Sequence, residues 1–178
     1  AFILSMPGAP FIYYGDEIGM RYVEGLKSVE GGYNRTGSRS PMQWDDSTNA
    51  GFSSAPASDL YIAMDPDKDR PTAKKEMAAP DSLYHEVKKL IRIRQSHKAL
   101  QSRGKITFVY AEKNAYPLAY IREDGDEKIL VIINAAAEAK TFACDAEPKE
   151  AIYNFGAAAE AKNGKITVPA QSAGFYRI

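Results

Sequence analysis

Pro7-Gly8-Ala9-Pro10-Phe11-Ile12-Tyr13-Tyr14-Gly15-Asp16-Glu17-Ile18-Gly19-Met20 is the stretch that decides the fold. Pro7-Gly8 breaks the apolar run of residues 1 to 6 and reads as a turn after a helix end. Pro10 to Tyr14 is then a short aromatic and β-branched run closed by Gly15, which predicts one buried strand. A continuous apolar strand suits a parallel sheet covered on both faces. Such a strand needs neighbours, and the rest of this chain offers few candidates for parallel partners.

Working outward, residues 16 to 80 are rich in Gly, Ser, Asp and Pro and show little sustained periodicity. A loop of that size in a compact domain is either functional or the consequence of a missing partner domain. Asp81-Ser82 then offers a helix N-cap, and Leu83, Val87, Leu90 and Ile91, with the aliphatic stem of Arg94, predict a helix over 81–99. Arg92, Arg94, His97 and Lys98 crowd its C-terminal half, where they complement the helix dipole. After Gly104, β-rich runs at 106–111, 117–123, 128–134, 140–144, 151–155, 165–169 and 173–178 alternate with turns such as Asn163-Gly164. Short strands with regular turn signals predict an antiparallel β-sandwich, with a domain boundary near Arg103.

Composition narrows the function classes. The 178 residues carry 23 basic and 23 acidic side chains, so no net field favours nucleic acid or an anionic membrane, and a neutral ligand fits best. The single cysteine, Cys144, forms no internal disulfide and leaves no thiolate cluster for a metal. No apolar run approaches the roughly 20 residues that cross a bilayer. Neither cofactor nor metal is expected. The chain starts without an initiator methionine, so its true N-terminus is expected upstream, and a cytoplasmic location is the expectation.

A second block, Arg39-Ser40-Pro41-Met42-Gln43-Trp44-Asp45 followed by Asn49-Ala50-Gly51-Phe52-Ser53, completes the pattern. The first block resembles the last barrel strand of the α-amylase superfamily, which reads Gly-x-Pro-x-Ile-Tyr-Tyr-Gly-x-Glu. The second is similar to the Arg-(Thr/Ser)-Pro-Met-Gln-Trp and Asn-Ala-Gly-Phe segments of its α-glucosidase, oligo-1,6-glucosidase and trehalose synthase branch. The helix around Leu90 to Arg94 and the trailing strands fit the same comparison, so the resemblance covers the whole chain. It implies an α+β fragment: the last strand, long βα-loop and last helix of a (β/α)8 barrel over 1–103, then an all-β sandwich domain over 104–178. Active-site loops of such barrels lie at the C-terminal ends of the strands.

The resemblance also implies a substrate, an α-glucoside or maltooligosaccharide, and a missing N-terminal barrel as intramolecular partner. A retaining glycosidase holds two carboxyl groups roughly 5–5.5 Å apart. Asp16 and Glu17 are adjacent in sequence at a strand end and are expected to point apart, while the family takes its catalytic carboxylates from earlier strands. No catalytic residue is therefore expected here. Arg39 is the candidate substrate-binding residue, because the matching family arginine pairs with an early-barrel aspartate and helps hold the non-reducing glucosyl unit. Asp16 is expected to line or flank the pocket, and Glu17 to act as a hydrogen-bond acceptor at the loop base.

Other readings are plainer. Trp44 is expected to pack its loop onto the domain body, and one of Tyr13 and Tyr14 to be buried. Asp65-x-Asp67-x-Asp69 follows the spacing of a calcium loop, but Arg70 stands where that loop needs glycine, so a solvated acidic surface is expected. Asn34-Arg35-Thr36 has the spacing of a glycosylation site and carries little weight. The spacing between Met20 and Arg39 is closer to trehalose-synthase-type sequences than to oligo-1,6-glucosidases. The rival reading is a non-catalytic carbohydrate-binding or scaffold β-sandwich.

Overall fold

A computed structural model describes residues 1–27 and 35–178. By spatial contact the chain forms two compact units, Ala1–Phe11 with Leu90–Ile178, and Ile12–Lys89. Asn34 lies outside the described residues, and with it the glycosylation spacing. Among the described residues no helix is long and apolar enough to cross a membrane.

The first unit is built on strands. β1 (Lys105–Tyr110), β2 (Leu118–Asp124), β3 (Glu127–Asn134), β4 (Lys140–Ala143), β5 (Ala151–Phe155), β6 (Glu160–Lys162), β7 (Lys165–Val168) and β8 (Ser172–Arg177) form two antiparallel sheets. The larger has the order β1-β2-β3-β8-β5 and the smaller β4-β7-β6. β3 sits inside the larger sheet and its run Ile129 to Ile132 is buried on both faces, so it is apolar throughout instead of alternating. Leu130 and Ile132 face Phe142, Ile166 and Val168 of the smaller sheet, closing one core. Ile129 and Val131 point the other way, into a second core with Tyr120, Phe175, Leu4 and Leu90. The antiparallel sandwich expected after Gly104 is thus present, and its larger sheet is covered on its other face as well.

Seven of these strands match the β-rich runs of the sequence. β6 does not, because Glu160-Ala161-Lys162 has little β propensity and is exposed at all three residues. It is a strand through its hairpin with β7, where Asn163 and Gly164 both take positive φ, 52° and 70°, the geometry that an Asn-Gly turn favours.

Among the described residues there are also two short α-helices and one long one. α1 (Phe2–Ser5) ends at Met6, whose backbone is extended, and α2 (Ala73–Ala78) is capped by Thr72, whose side chain accepts from the Lys75 amide. α3 (Leu83–Ser96) is shorter than the expected 81–99. Ser82 starts it: its Oγ accepts from the His85 amide at 3.4 Å, and its carbonyl from that of Glu86. At the other end the chain tightens into a 3₁₀ turn, Lys98–Leu100. Arg94, whose aliphatic stem belongs to the expected apolar stripe, is 8% exposed, and its guanidinium donates to the carbonyls of Leu4, Met6 and Gly8.

The buried strand expected over Pro10–Tyr14 is not formed. These residues carry no strand pairing, and Phe11 is 87% exposed. A parallel barrel strand obtains its hydrogen bonds from a strand on each side, and among the described residues every strand pair is antiparallel and lies within residues 105–177.

Candidate functional site

The second unit, Ile12–Lys89, holds both motif blocks, and backbone geometry brings them together. Gly15 and Gly19 take positive φ of 92° and 71° around the 3₁₀ turn Asp16–Ile18, so the chain reverses where a side chain would strain it. A β-carbon on Gly15 would also lie 2.5 Å from Met20 Sδ. The Val23 amide then donates to the Gly37 carbonyl at 3.0 Å. Tyr14 Oη donates to the Ser40 carbonyl at 3.0 Å, tying the first block to the second.

Beyond Ser40, the chain from Met42 to Phe52 folds around an unusual knuckle. Asn49, Ala50 and Gly51 all take the left-handed conformation, with φ of 49°, 52° and 73°, which costs roughly 1–2 kcal/mol at each non-glycine residue. The Asn49 side chain compensates by donating to the carbonyls of Ser53 and Ala55. The Ala50 carbonyl in turn accepts from the amides of Trp44 and Asp45. The carbonyls of Gln43 and Trp44 accept from Ala73 and Lys74 at the start of α2, so the Trp44 backbone is held from both sides.

These restraints shape a cleft of about 440 Å³ lined by Tyr14, Glu17, Arg39, Trp44, Phe52 and Tyr61, with Pro41, Met42, Leu60 and Ile62. Its walls are aromatic and aliphatic, and Glu17 supplies its carboxylate and Arg39 its guanidinium. Glu17 Oε2 accepts from the Gly15 amide at 2.9 Å, which fixes it at the base of the loop. Burial, followed by the neighbouring Tyr13, pushes the Tyr14 phenol above its usual range, and the Arg39 charge pulls it back. The phenol is therefore a hydrogen-bond donor at neutral pH. Chemically the cleft matches a neutral, polyhydroxylated ligand: ring faces for C–H surfaces and a fork for hydroxyls.

The residues singled out from sequence fall as follows. Arg39 lines the cleft. Asp16 is exposed on its 3₁₀ turn, accepts from the Tyr13 amide at 3.1 Å, and is not among the cleft's lining. Tyr13 and Tyr14 are 51% and 42% exposed, so neither is the buried member of the pair. Trp44 is 51% exposed and faces the cleft, which corrects its reading as a packing residue. Phe52 and Tyr61 were missed; the alternation of aromatics with Gly and Pro across residues 44–61 was the signal available. Asp65 is also corrected. It is 6% exposed, accepts from the Asp67 amide and meets Arg21 at 3.4 Å, so a guanidinium and not solvent balances it.

Known proteins resemble this chain in sequence and in fold. A glucan 1,6-alpha-glucosidase of Streptococcus pneumoniae is 29% identical over 92% of this chain and 35% of its own length. A trehalose synthase of Thermus thermophilus is 32% identical over 80% of this chain and 14% of its own. The crystal structure of the trehalulose synthase MutB from Pseudomonas mesoacidophila superposes with a TM-score of 0.81 at 27% identity, covering 99% of this chain and 36% of that one. The chain thus spans about a third or less of the length of these relatives. Residues 1–103, more than half of the sequence, match the alpha amylase catalytic domain, and the chain belongs to the alpha-amylase family.

Proposed function

We propose that the intact protein processes α-linked glucosides of the maltose type by double displacement with retention, and that this chain supplies part of the wall of its substrate pocket. Residues 1–103 would be the last strand, loop and helix of a (β/α)8 barrel, and 104–178 a supporting all-β domain. The carrying observation is the cleft in which Arg39 stands beside Glu17 among aromatic walls, built from the two blocks that resemble the α-glucosidase and trehalose synthase branch.

Double displacement needs one carboxylate to attack the anomeric carbon and a carboxylic acid, on the other side of the bond, to protonate the leaving oxygen. Water then cleaves the glycosyl-enzyme ester, returning a proton to the second group. Among the described residues Glu17 is the one carboxylate of the cleft lining, and its Oε2 is engaged by the Gly15 amide. The two reacting carboxylates are accordingly assigned to the segment preceding Ala1, and Arg39 to orienting the glucosyl unit. The test is kinetic. The 178-residue chain alone is expected to show no turnover of maltose or of an aryl α-glucoside, whereas the full-length protein releases glucose or rearranges maltose. Turnover by the pure 178-residue chain, or none by the full-length protein on any α-glucoside, would overturn the assignment.

A further inference from the structure

Arg122 of β2 has no exposed surface, and its hydrogen-bond partners are backbone carbonyls. Its Nη1 donates to Ser5 and Leu100, its Nη2 to Gln101 at 2.7 Å and Gly104 at 3.0 Å, and its Nε to Lys105 at 3.4 Å. Arg94 of α3 does the same from the other side, with Nη1 on Leu4 at 3.0 Å and Met6 at 2.8 Å and Nη2 on Gly8 at 2.7 Å. Between them the two forks take the carbonyls of residues 4, 5, 6 and 8.

Those carbonyls need partners. α1 is only four residues long, so its last carbonyls have no helical acceptor role to fill, and the backbone of Met6 is already extended. Ser5 is further fixed through its hydroxyl, 2.6 Å from Tyr120 Oη, and the Gly8 amide donates to the Ser102 carbonyl. Burying two guanidiniums a short way apart is expensive; burial lowers the affinity of both for their protons, and at Arg122 the Arg94 charge adds to it. Apolar side chains of similar volume often serve stability as well as a buried charge does. What the planar forks add is direction: each fixes carbonyl oxygens at set angles.

We infer that Arg122 and Arg94 are positioning residues, which fix the path of residues 4–8, the segment that leads along the chain into the Pro10–Glu17 motif. Neither touches the cleft. The inference rests on the α-glucoside reading only for its kinetic consequence, since the clamp itself is a property of the first unit.

The experiment uses the full-length protein with Arg122→Met, Arg122→Lys and Tyr120→Phe, following kcat and KM on maltose and amide hydrogen exchange at Ser5, Met6 and Gly8. In Arg122→Met the exchange of these amides is expected to accelerate and kcat to fall roughly 10- to 100-fold, the scale of a small misplacement of catalytic geometry, with KM changed less than about 2-fold. Arg122→Lys, which keeps the charge but loses the fork, is expected to recover part of kcat. Unchanged kcat with a lowered Tm would make the residue merely structural and overturn the inference. If Arg122→Met fails to fold, Arg122→Lys and Tyr120→Phe decide it: kcat falling in step with faster exchange supports positioning, and constant kcat overturns it. A wild type inactive on every α-glucoside sinks the functional reading instead; the exchange data then decide the clamp, which fails if residues 5–8 stay equally protected in Arg122→Met.

Discussion

The ring of Tyr176 lies over Gly174, two residues earlier on the same face of β8, so closely that a β-carbon on Gly174 would sit 2.3 Å from Tyr176 Oη and 2.4 Å from its ring. The ring has no room to withdraw. Its hydroxyl donates to Asn154 Oδ1 at 2.8 Å and accepts from the Ala159 amide at 3.0 Å, and burial keeps the phenol protonated. Glycine at position 174 is therefore demanded by space, since its φ is not left-handed. Gly174→Ala is expected to destabilise the protein by about 1–3 kcal/mol through overpacking, read as a lower urea midpoint. An unchanged midpoint would mean that the ring does not lie there.

Glu127 supports a second prediction, on pH. Its Oε1 is 2.6 Å from His97 Nδ1 and its Oε2 accepts from the Ala99 amide at 2.9 Å. Burial alone would push the carboxyl up, but the Ala99 amide and His97 outweigh it and hold the carboxyl below the usual carboxylate range. A carboxylate whose folded-state pKa is depressed stabilises the fold above its unfolded value, and that contribution disappears as pH falls through the folded value. The urea midpoint of the wild type should thus drop more steeply than that of Glu127→Gln as pH is lowered from about 5 to 3, given an unfolded pKa of about 4.3. Parallel curves for the two proteins would refute this role.

The contrast between the two units explains what could be read in advance. Strands β1 to β5, β7 and β8 were legible because each carries its own β-branched or aromatic run and finds its partner within residues 105–177. Pro10–Tyr14 carries an equally strong signal and forms no strand, because pairing is a property of two segments and propensity of one. Arg39 was found from its motif. Trp44, Phe52 and Tyr61 were not placed beside it, since their convergence depends on three successive left-handed residues at 49–51, and Ala50 gives no hint of that conformation. Arg122 was opaque for the same kind of reason, and of Arg94 only the buried stem was legible: a guanidinium on a helix or strand looks solvated until the carbonyls that surround it are known.

That knuckle yields a third prediction. Asn49 tolerates the left-handed region better than most residues, and its amide satisfies the Ser53 and Ala55 carbonyls at 2.9 and 2.8 Å. Asn49→Ala removes both bonds and places alanine at φ near 49°. A loss of about 1–3 kcal/mol is expected, and because Trp44 is the only tryptophan and its amide is held by Ala50, its fluorescence should shift in the folded state too. Asn49→Gly, which relieves the strain but not the lost bonds, should recover part of the stability. Equal stability in all three proteins would show that the knuckle is not held by this side chain.

The last prediction concerns Arg39 itself. It reaches the cleft from the 3₁₀ turn Thr36–Arg39, whose Gly37 is so close to the chain that a β-carbon would fall 2.2 Å from the Val23 carbonyl. The guanidinium is thus delivered by a backbone that has no slack. If it orients a glucosyl unit, as proposed, the planar fork and not the charge alone is what matters, because a lysine ammonium presents a single point in place of two parallel donors. In the full-length protein both Arg39→Lys and Arg39→Ala should then reduce kcat/KM on maltose by a comparable factor, on the order of 10- to 100-fold for loss of one charged hydrogen-bonding contact of about 1.5–3 kcal/mol. Gly37→Ala, which keeps the Arg39 side chain but displaces the turn that delivers it, should give a kcat/KM between those of the wild type and Arg39→Ala. Were Arg39→Lys to keep full kcat/KM, the residue would contribute only its charge; were Arg39→Ala also to keep it, the cleft would not be the glucosyl site.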